Sequence, residues 1–287
     1  MKKILTALLL LMLVLATGCG GGNTPAKNDG DKPAEDQKIK LGMITRLNVS
    51  EMLLDNYFEQ AASRMQQTAD LYAPKHVFFD NMNSMIAALD SGQVDRISTY
   101  SSVAKYLLAH NDKLEQTKDR VPKISDSFCC AMLKDNAALL KEFDTAIDKL
   151  KASGKLAEIT KTYITDLDGK EPSAVDMPHF DGAQTIKIAV TGDLPPLDLI
   201  TADGKPAGFN TALLAAISQI IGKNFELVQV DSGARAAALT SKQVDVVFWV
   251  TVPRDDTIVP ADYDKPEGVI LTAPYFSDEI AHVKVKG

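Results

Sequence analysis

The sequence predicts an α/β fold made of two similar lobes, and two observations lead to this prediction. Segments with a β-strand pattern alternate with segments of helical pattern through residues 38–287, which is typical of α/β domains. A nine-residue stretch at 87–95 also recurs at 237–245 with seven identical positions. A similar apolar strand precedes each copy, at 38–44 and at 185–190. We interpret the body of the chain as two copies of one α/β unit, because self-similarity of this kind marks a repeated structural unit.

The first copy contains three strand patterns and two helical patterns. The helical patterns begin near Ser50, where Ser50 and Glu51 form a typical N-cap, and at residue 83. The strands are predicted at 39–45, 76–79 and 96–100, and the second helix at 83–91. A further helix follows directly, at 101–110.

The second copy repeats this order with a longer first loop, which contains Pro195 and Pro196. Its predicted elements are a strand at 186–191, a helix at 211–221, a strand at 225–230, a short helix at 234–241 and a strand at 246–250. Between the copies we expect a strand at 127–133, two helices within 137–164 that are separated by Gly154, and a loop at 166–184. Alternating strands and helices favour parallel sheets that are covered on both faces.

The first 37 residues have the pattern of an export signal followed by a tether. Lys2 and Lys3 precede an apolar run at 4–15, which is shorter than the roughly 20 residues that cross a bilayer. The residues before Cys19 are small and resemble the bacterial lipobox, so we predict a signal peptide at 1–18 and acylation of Cys19. Plain secretion is the alternative. Residues 19–37 are rich in Gly, Pro, Asn and Asp, which predicts a flexible tether and an extracytoplasmic, membrane-anchored protein.

The composition argues against several classes of function. The formal net charge of −7 argues against binding to nucleic acid, because phosphate contacts need a basic surface. Cys129 and Cys130 are adjacent within an apolar run, so we interpret them as small core residues and not as a disulfide. The four histidines lack metal-ligand spacing, and the common nucleophile and phosphate-binding motifs are missing. We therefore expect no metal, no cofactor and no catalytic residues.

Several stretches of the body resemble the extracytoplasmic solute-binding proteins of family 3, which supply amino acids to ABC transporters. These stretches are DGKPAGFN at 203–210, APYFS at 273–277, and the LKDN and LKASGKL segments that begin at Leu133 and Leu150. The resemblance implies the two-lobed type II fold of periplasmic binding proteins, with the lobes joined by two hinge strands. It also implies a small-molecule ligand, a permease as partner and a monomeric protein.

The order of these stretches differs from that of the family and indicates a circular permutation. Residues 38–126 resemble the second lobe of the family, and 127–287 resemble the first lobe. Within the latter, 127–165 resembles the C-terminal ending, 166–184 is a joining loop, 185–276 is the opening, and 277–287 is a hinge strand. The alternative is a tandem of two truncated modules, but each module would expose unfinished sheet edges.

The resemblance also implies candidate ligand-binding residues on both lobes. Arg254 resembles the arginine that holds the carboxylate of an amino acid, and Thr251 stands near it. Thr191, Asp193 and Leu194 occupy the loop after the first strand, with Leu194 in place of the usual aromatic residue.

In the other lobe, Asn48 and Ser50 stand where the family presents hydrogen-bond donors, and Tyr100 replaces the usual ammonium-binding aspartate. These departures leave a carboxylate without a neighbouring amine as a competitor of an ordinary amino acid. A sensor that docks onto a receptor is a second functional hypothesis, and an enzyme on the same scaffold, such as a dehydratase or a lytic transglycosylase, is a third.

Overall fold

A computed structural model describes residues 38–48, 56, 74–118, 125–254 and 262–287. The predicted signal peptide, the acylation site Cys19 and the tether lie outside these residues, and so does the helix that is expected to begin at Ser50. No helix among the described residues is long and apolar enough to cross a membrane.

Among the described residues, the first half of the chain contributes five strands and four α-helices, and the bounds of all but β4, which was not predicted, are close to those expected from the sequence. The strands are β1 (Lys40–Ile44), β2 (Lys75–Phe79), β3 (Arg96–Tyr100), β4 (Leu114–Gln116) and β5 (Ser125–Leu133). The helices are α1 (Met82–Asp90), α2 (Ser101–His110), α3 (Ala137–Ala152) and α4 (Lys155–Thr160). Gly154 separates α3 from α4 in a left-handed conformation, as expected from its place between two helical patterns.

The described part of the second half adds eight strands and two α-helices. The strands are β6 (Thr185–Val190), β7 (Asp193–Leu194), β8 (Asp198–Ile200), β9 (Pro206–Ala207), β10 (Asn224–Gln229), β11 (Val246–Pro253), β12 (Val269–Leu271) and β13 (Phe276–Val285). The helices are α5 (Phe209–Ile221) and α6 (Arg235–Thr240). The predicted loop around Pro195 and Pro196 contains the small sheet β7-β8-β9.

The strands form two mixed sheets, and equivalent strands have the same order in both. The first sheet runs β2-β1-β3-β13-β4, and the second runs β10-β6-β11-β5-β12. In each sheet the three strands of one repeat are parallel, and the two remaining strands are antiparallel to their neighbours. The mixed α/β fold is confirmed, whereas the expectation of parallel sheets holds only for the three strands of each repeat.

The antiparallel strands arise because β5 and β13 each leave the repeat that precedes them and enter the other sheet. β5 follows the first repeat along the chain but pairs with β11 and β12 of the second sheet. β13 follows the second repeat but pairs with β3 and β4 of the first sheet. The two strands also pair with each other where they cross, from Phe276↔Phe128 to Glu279↔Ser125. Two crossing strands therefore join the lobes, and the predicted permutation of the chain stays a prediction.

The repeat in the sequence forms the same hydrogen bonds in both lobes. Gln93 N–H donates to Ala88 O at 2.9 Å, and Gln243 N–H donates to Ala238 O at the same distance. The aspartate that ends each copy then accepts a backbone N–H from the first strand of its own lobe, Lys40 to Asp95 at 2.7 Å and Lys187 to Asp245 at 2.9 Å. The seven identical residues thus encode one helix-to-strand turn twice.

The crossing strands lie at the centre of the hydrophobic core. Phe128, Cys130 and Met132 of β5 are at most 1% exposed and pack in the main core cluster. The interpretation of Cys129 and Cys130 as core residues is confirmed, since both are buried free thiols and burial raises the pKa of Cys129 to about 12. A neutral buried thiol is a poor nucleophile, which agrees with a packing role.

Candidate functional site

The two lobes meet along a seam that is formed by loops at the carboxyl ends of the parallel strands. Met82 N–H, at the start of α1, donates to Asp193 Oδ2 in the loop after β6 at 2.7 Å. Ser232 N–H donates to Asp80 O at 2.8 Å, which joins the loops after β10 and β2. Ligands of open α/β sheets bind at the carboxyl ends of the strands, so this seam is the candidate site.

Arg46 is the central side chain of the seam. It follows β1 of the first sheet and is only 8% exposed. Its guanidinium donates to Tyr100 Oη at 2.9 Å and to Thr251 Oγ1 at 3.0 Å, and it forms an ion pair with Asp126 at 3.6 Å. Arg46 therefore connects β1 and β3 of the first sheet to β11 and β5 of the second.

Asp126 and Tyr100 complete this buried polar cluster. Tyr100 Oη donates to Asp126 Oδ2 at 3.1 Å, so the hydroxyl both accepts from Arg46 and donates to the carboxylate. Burial raises the pKa of Asp126, while the charge of Arg46 and the bond from Tyr100 oppose that rise. Burial raises the pKa of Tyr100 as well, which keeps its hydroxyl protonated and able to donate. The cluster is thus a buried arginine that hydrogen-bonds to two hydroxyl groups and forms an ion pair with a carboxylate.

Trp249 has a strained backbone in the middle of β11. Its φ is 68°, in the left-handed region that a bulky residue rarely adopts, and the pairing of β11 with β5 shifts register between Val247 and Val250. The fully buried Arg235 donates to Trp249 O at 2.8 Å, and its guanidinium lies 5.1 Å from the ring. Strain of this kind costs of the order of 1–3 kcal/mol and persists where surrounding contacts enforce it. The indole of Trp249 lies edge-on to Tyr100 at the seam.

A small cavity lies beside these side chains. Arg46, Tyr100, Leu194 and Trp249 line it, together with Met43 and Ile280, and its volume is about 20 Å³. Among the described residues, Arg46 Nε and Trp249 Nε1 are buried N–H groups without a hydrogen-bond partner. A space of this size holds about one water molecule, so in this conformation it is too small for a solute of the size of an amino acid.

The structure brings four of the residues suggested by the resemblance close to this cluster. Leu194 and Tyr100 line the cavity, and Thr251 accepts from Arg46. The Asn48 side-chain amide donates to Tyr263 O at 3.2 Å. Ser50 lies outside the described residues.

The remaining three candidates occupy other parts of the seam. Asp193 is bonded to the start of α1, and Thr191 donates its N–H to the buried Asp198 at 2.9 Å. Arg254 directly follows β11 and has an exposed side chain, and its backbone N–H donates to Ser125 O.

Arg46, Trp249, Arg235 and Asp264 are not among the residues that the sequence predicted for the site. Trp249 is buried, at 4% exposed, and it packs edge-on to Tyr100. A signal for Arg46 existed, since it directly follows an apolar strand whose end faces the predicted cleft. Arg235 lies in an alanine-rich helical stretch, where an arginine is usually exposed, so its burial had no sequence signal.

Within the described ranges, no set of three or more His, Cys, Asp or Glu residues is placed to hold a metal ion. The hydrogen bonds and ion pair of the seam are formed by arginine, hydroxyl, carboxylate and backbone groups.

Comparison with known proteins supports part of the resemblance. Residues 186–266 match the model of the bacterial extracellular solute-binding proteins, family 3. This range contains β6 to β11 with Thr191, Asp193, Leu194, Thr251 and Arg254, and the resemblance is confirmed for this part of the chain. No curated protein matches the sequence.

Solved structures give weaker similarities. The ligand-binding component of an ABC-type import system from Staphylococcus aureus is 12% identical with a TM-score of 0.43; the alignment covers 87% of this chain and 66% of that one, slightly under two thirds of its length. Tv2483 bound to L-arginine is 11% identical, with a TM-score of 0.41 and coverage of 87% and 78%. The reduced OxyR regulatory domain from Pseudomonas aeruginosa is 11% identical, with a TM-score of 0.39 and coverage of 87% and 90%. With TM-scores below 0.5, none of these similarities bears on the function of this chain.

Proposed function

We propose that this protein is the extracytoplasmic substrate-binding lipoprotein of an ABC transporter and that it binds an amino acid or a related small carboxylate between its lobes. The observation that carries the proposal is the buried seam, where Arg46, Tyr100 and Thr251 from the two lobes converge beside a cavity with unpartnered N–H groups. The family match over residues 186–266 supports the same function.

The polarity of the seam favours a ligand that accepts hydrogen bonds. The two unpartnered groups at the cavity, Arg46 Nε and Trp249 Nε1, are both donors. Asp126 is engaged by Arg46 and Tyr100 and so offers little acceptor capacity to an ammonium group. A carboxylate is the small functional group that best matches a guanidinium and an indole N–H. We therefore favour a carboxylate whose amine, if it has one, lies away from Asp126.

Arg254 is retained in this proposal as a second cation for the carboxylate. It lies three residues beyond Thr251 at the end of β11, and its side chain is exposed in the present conformation. Separation of the lobes exposes Thr251 and Arg46 to the same solvent. Hinge movement about β5 and β13 then brings both arginines towards a bound ligand.

Delivery to a permease follows from the proposed location of the protein. The residues that precede the body predict acylation at Cys19 and a tether over 19–37, which would hold the binder beside the membrane. A permease that distinguishes the closed lobes from the open lobes would accept solute from the loaded protein only. The proposed function therefore includes both a permease partner and a lipid anchor at Cys19.

A thermal-shift screen of residues 38–287 against amino acids and small organic acids tests the proposed function. A solute at 100 times its dissociation constant should raise the free energy of unfolding by about 2.7 kcal/mol. For a carboxylate hit we expect Arg254→Ala to weaken binding, whereas Lys170→Ala, which removes an exposed cation from the joining loop, should leave it unchanged. Equal affinities for these two variants would remove Arg254 from the site, and a screen without hits would contradict the transport proposal.

A further inference from the structure

The carboxylate of Asp264 occupies an unusual position between the lobes. Asp264 is 2% exposed and lies between β11 and β12. Its Oδ1 accepts the backbone N–H groups of Leu47 and Asn48, the second at 3.1 Å. Its Oδ2 accepts from Thr251 Oγ1 at 3.1 Å and from Thr251 N–H at 3.3 Å. One carboxylate is therefore held by four donors, two from each lobe.

Neighbouring contacts strengthen this arrangement. Tyr263 Oη lies 3.0 Å from Thr251 Oγ1, and Tyr263 O accepts from the side-chain amide of Asn48. Arg46 lies 6.0 Å from the centre of the Tyr263 ring and bonds to Thr251. The segment that carries Asp264 is thus fixed to both lobes by contacts on either side of the carboxylate.

Two buried cations balance the charge of Asp264. Burial lowers the pKa of Arg235, and the charge of Asp264 is the largest influence that opposes this. Asp264 is also among the charges that raise the pKa of Arg46. A carboxylate in this place therefore helps to stabilise two buried arginines, of which Arg46 also forms an ion pair with Asp126.

The donors that hold Asp264 do not depend on its being part of the chain. Backbone N–H groups, a threonine hydroxyl and nearby guanidinium groups bind any carboxylate by the same charge-assisted hydrogen bonds. Two of the donor residues, Asn48 and Thr251, are also candidates for contact with a ligand. We propose that Leu47 N–H, Asn48 N–H and Thr251 form a carboxylate-binding site in which Asp264 is a built-in occupant, and that a free carboxylate binds there only by displacing it.

This site has two consequences. Asp264 holds the lobes together in the absence of a solute, because its two oxygens bond to different lobes. It also lowers the affinity for a solute carboxylate, because the solute must replace contacts that already exist. The second consequence rests on the proposed function, whereas the carboxylate site itself does not.

Acetate is the probe that tests the site, in sodium acetate compared with sodium chloride at equal ionic strength. Asp264→Ala removes the occupant, so it should lower the melting temperature, and acetate should restore part of the loss in a saturable way, by about 3 °C or more. The unmodified chain should show no such shift. Asp262→Ala, which removes an exposed carboxylate two residues away, should also show none. The double variant Asp264→Ala/Thr251→Val should lose most of the rescue.

The outcomes separate the two proposals. No rescue of Asp264→Ala, or an equal acetate effect on all variants, overturns the carboxylate site. If Asp264→Ala is unfolded in chloride, the folded yields in acetate and chloride are compared, and equal yields overturn it as well. For a solute found in the screen, Asp264→Ala should bind at least tenfold more tightly than the unmodified chain. If acetate restores the stability of Asp264→Ala but the solute binds this variant no more tightly than the unmodified chain, the solute does not displace Asp264. A screen without any hit contradicts only the transport function.

Discussion

At the scale of single residues, the repeated turn shows how one backbone geometry is met by two different side chains. The turn after α1 contains Gly92 with φ of 73°, and the equivalent turn after α6 contains Lys242 with φ of 59°. Glycine adopts this left-handed region freely, whereas lysine does so at a cost of about 1 kcal/mol. The sequence repeat showed where both turns lie. It could not show that Lys242 adopts the left-handed conformation, because lysine rarely does so.

Gly92→Ala should destabilise the protein by about 1 kcal/mol. A Cβ at Gly92 would meet no atom within 4 Å, so the loss arises from the backbone conformation alone. Gly92→Asn should cost less, because asparagine tolerates the left-handed region. Urea unfolding of the two variants measures the difference, and equal losses for Ala and Asn would contradict the backbone explanation.

Asp198 should make stability depend on pH. Burial raises the pKa of this carboxyl from 3.8 to about 6, against the bonds from Gly192 and Thr191 that lower it. The folded state thus binds the proton more tightly than the unfolded state, so the contribution of Asp198 is fully present below pH 4 and is lost as the pH rises through 6. Two pKa units correspond to about 3 kcal/mol.

Asp198→Asn retains the shape and one acceptor oxygen but cannot ionise. Relative to the unmodified chain, this variant should therefore gain up to about 3 kcal/mol in unfolding free energy between pH 4 and pH 8. Denaturant unfolding of both proteins across this range measures the gain. A difference between the two proteins that is constant with pH would show that the carboxyl titrates alike in the folded and unfolded states.

At the scale of elements, the joining segment 166–184 packs closely against α2 although it forms no helix and no strand beyond one isolated bridge at Ala174. Tyr106 of α2 donates to Glu171 at 2.5 Å, and Lys105 pairs with Asp168. Gly169 lies so close to α2 that a Cβ would come within 2.5 Å of Ala109 Cβ. The segment therefore contacts the lobe that does not contain the helices preceding it.

Gly169→Ala should destabilise the protein by about 2 kcal/mol or more, because strain of a left-handed residue adds to overlap with α2. Gly182→Ala is the matched control in the same segment. Gly182 has a similar φ of 71°, but a Cβ there meets no atom within 4 Å, so only the backbone cost of about 1 kcal/mol applies. Thermal unfolding of the two variants gives the comparison, and equal losses would mean that the segment moves away from α2 at little cost.

Most element positions could be predicted, but the pairing of the crossing strands could not. The strand at 96–100 and the helix at 101–110 coincide with the prediction, because their apolar spacing is regular. The apolar run of β5 indicated a buried strand, and only the resemblance to the family assigned 127–165 to the lobe of 185–276 and 277–287 to a hinge strand. Strand patterns report burial and not partners, so the antiparallel pairing of β5 and β13 required the structure.

The buried site was the least predictable feature. Thr251, Asn48, Tyr100 and Leu194 were suggested by resemblance, and they do lie at the seam. The contacts that organise the seam come from residues such as Arg46 and Asp264, whose types are found mostly on surfaces. Their burial depends on contacts between residues of the two lobes, and a local sequence pattern does not predict such contacts.

At the scale of the whole molecule, the two ends of the described body lie at the same end of the first sheet. Leu41 of β1 pairs with Arg96, and Val283 of β13 pairs with Ile97, so the start of β1 and the end of β13 flank the start of β3. Two strand spacings amount to roughly 10 Å. A short linker can therefore join residue 287 to residue 38.

A rearranged chain that runs from 166 to 287, through a linker of about six residues, and on from 38 to 165 tests the predicted permutation and keeps the contacts of the joining segment. We expect it to fold with a melting temperature within about 5 °C of the natural order, because all strand pairs of both sheets are retained. It should also bind the same solutes. Loss of cooperative unfolding in this variant would favour the alternative of two truncated modules.

The central claim is that the seam between the lobes binds a small carboxylate, and calorimetric titration of residues 38–287 with the hits of the screen tests it most directly. We predict one saturable site per chain, with an affinity that falls at least tenfold in Thr251→Val, since Thr251 contributes its hydroxyl to the seam from the second lobe. No binding heat and no thermal shift for any amino acid or organic acid would contradict the claim, as would equal affinity in Thr251→Val.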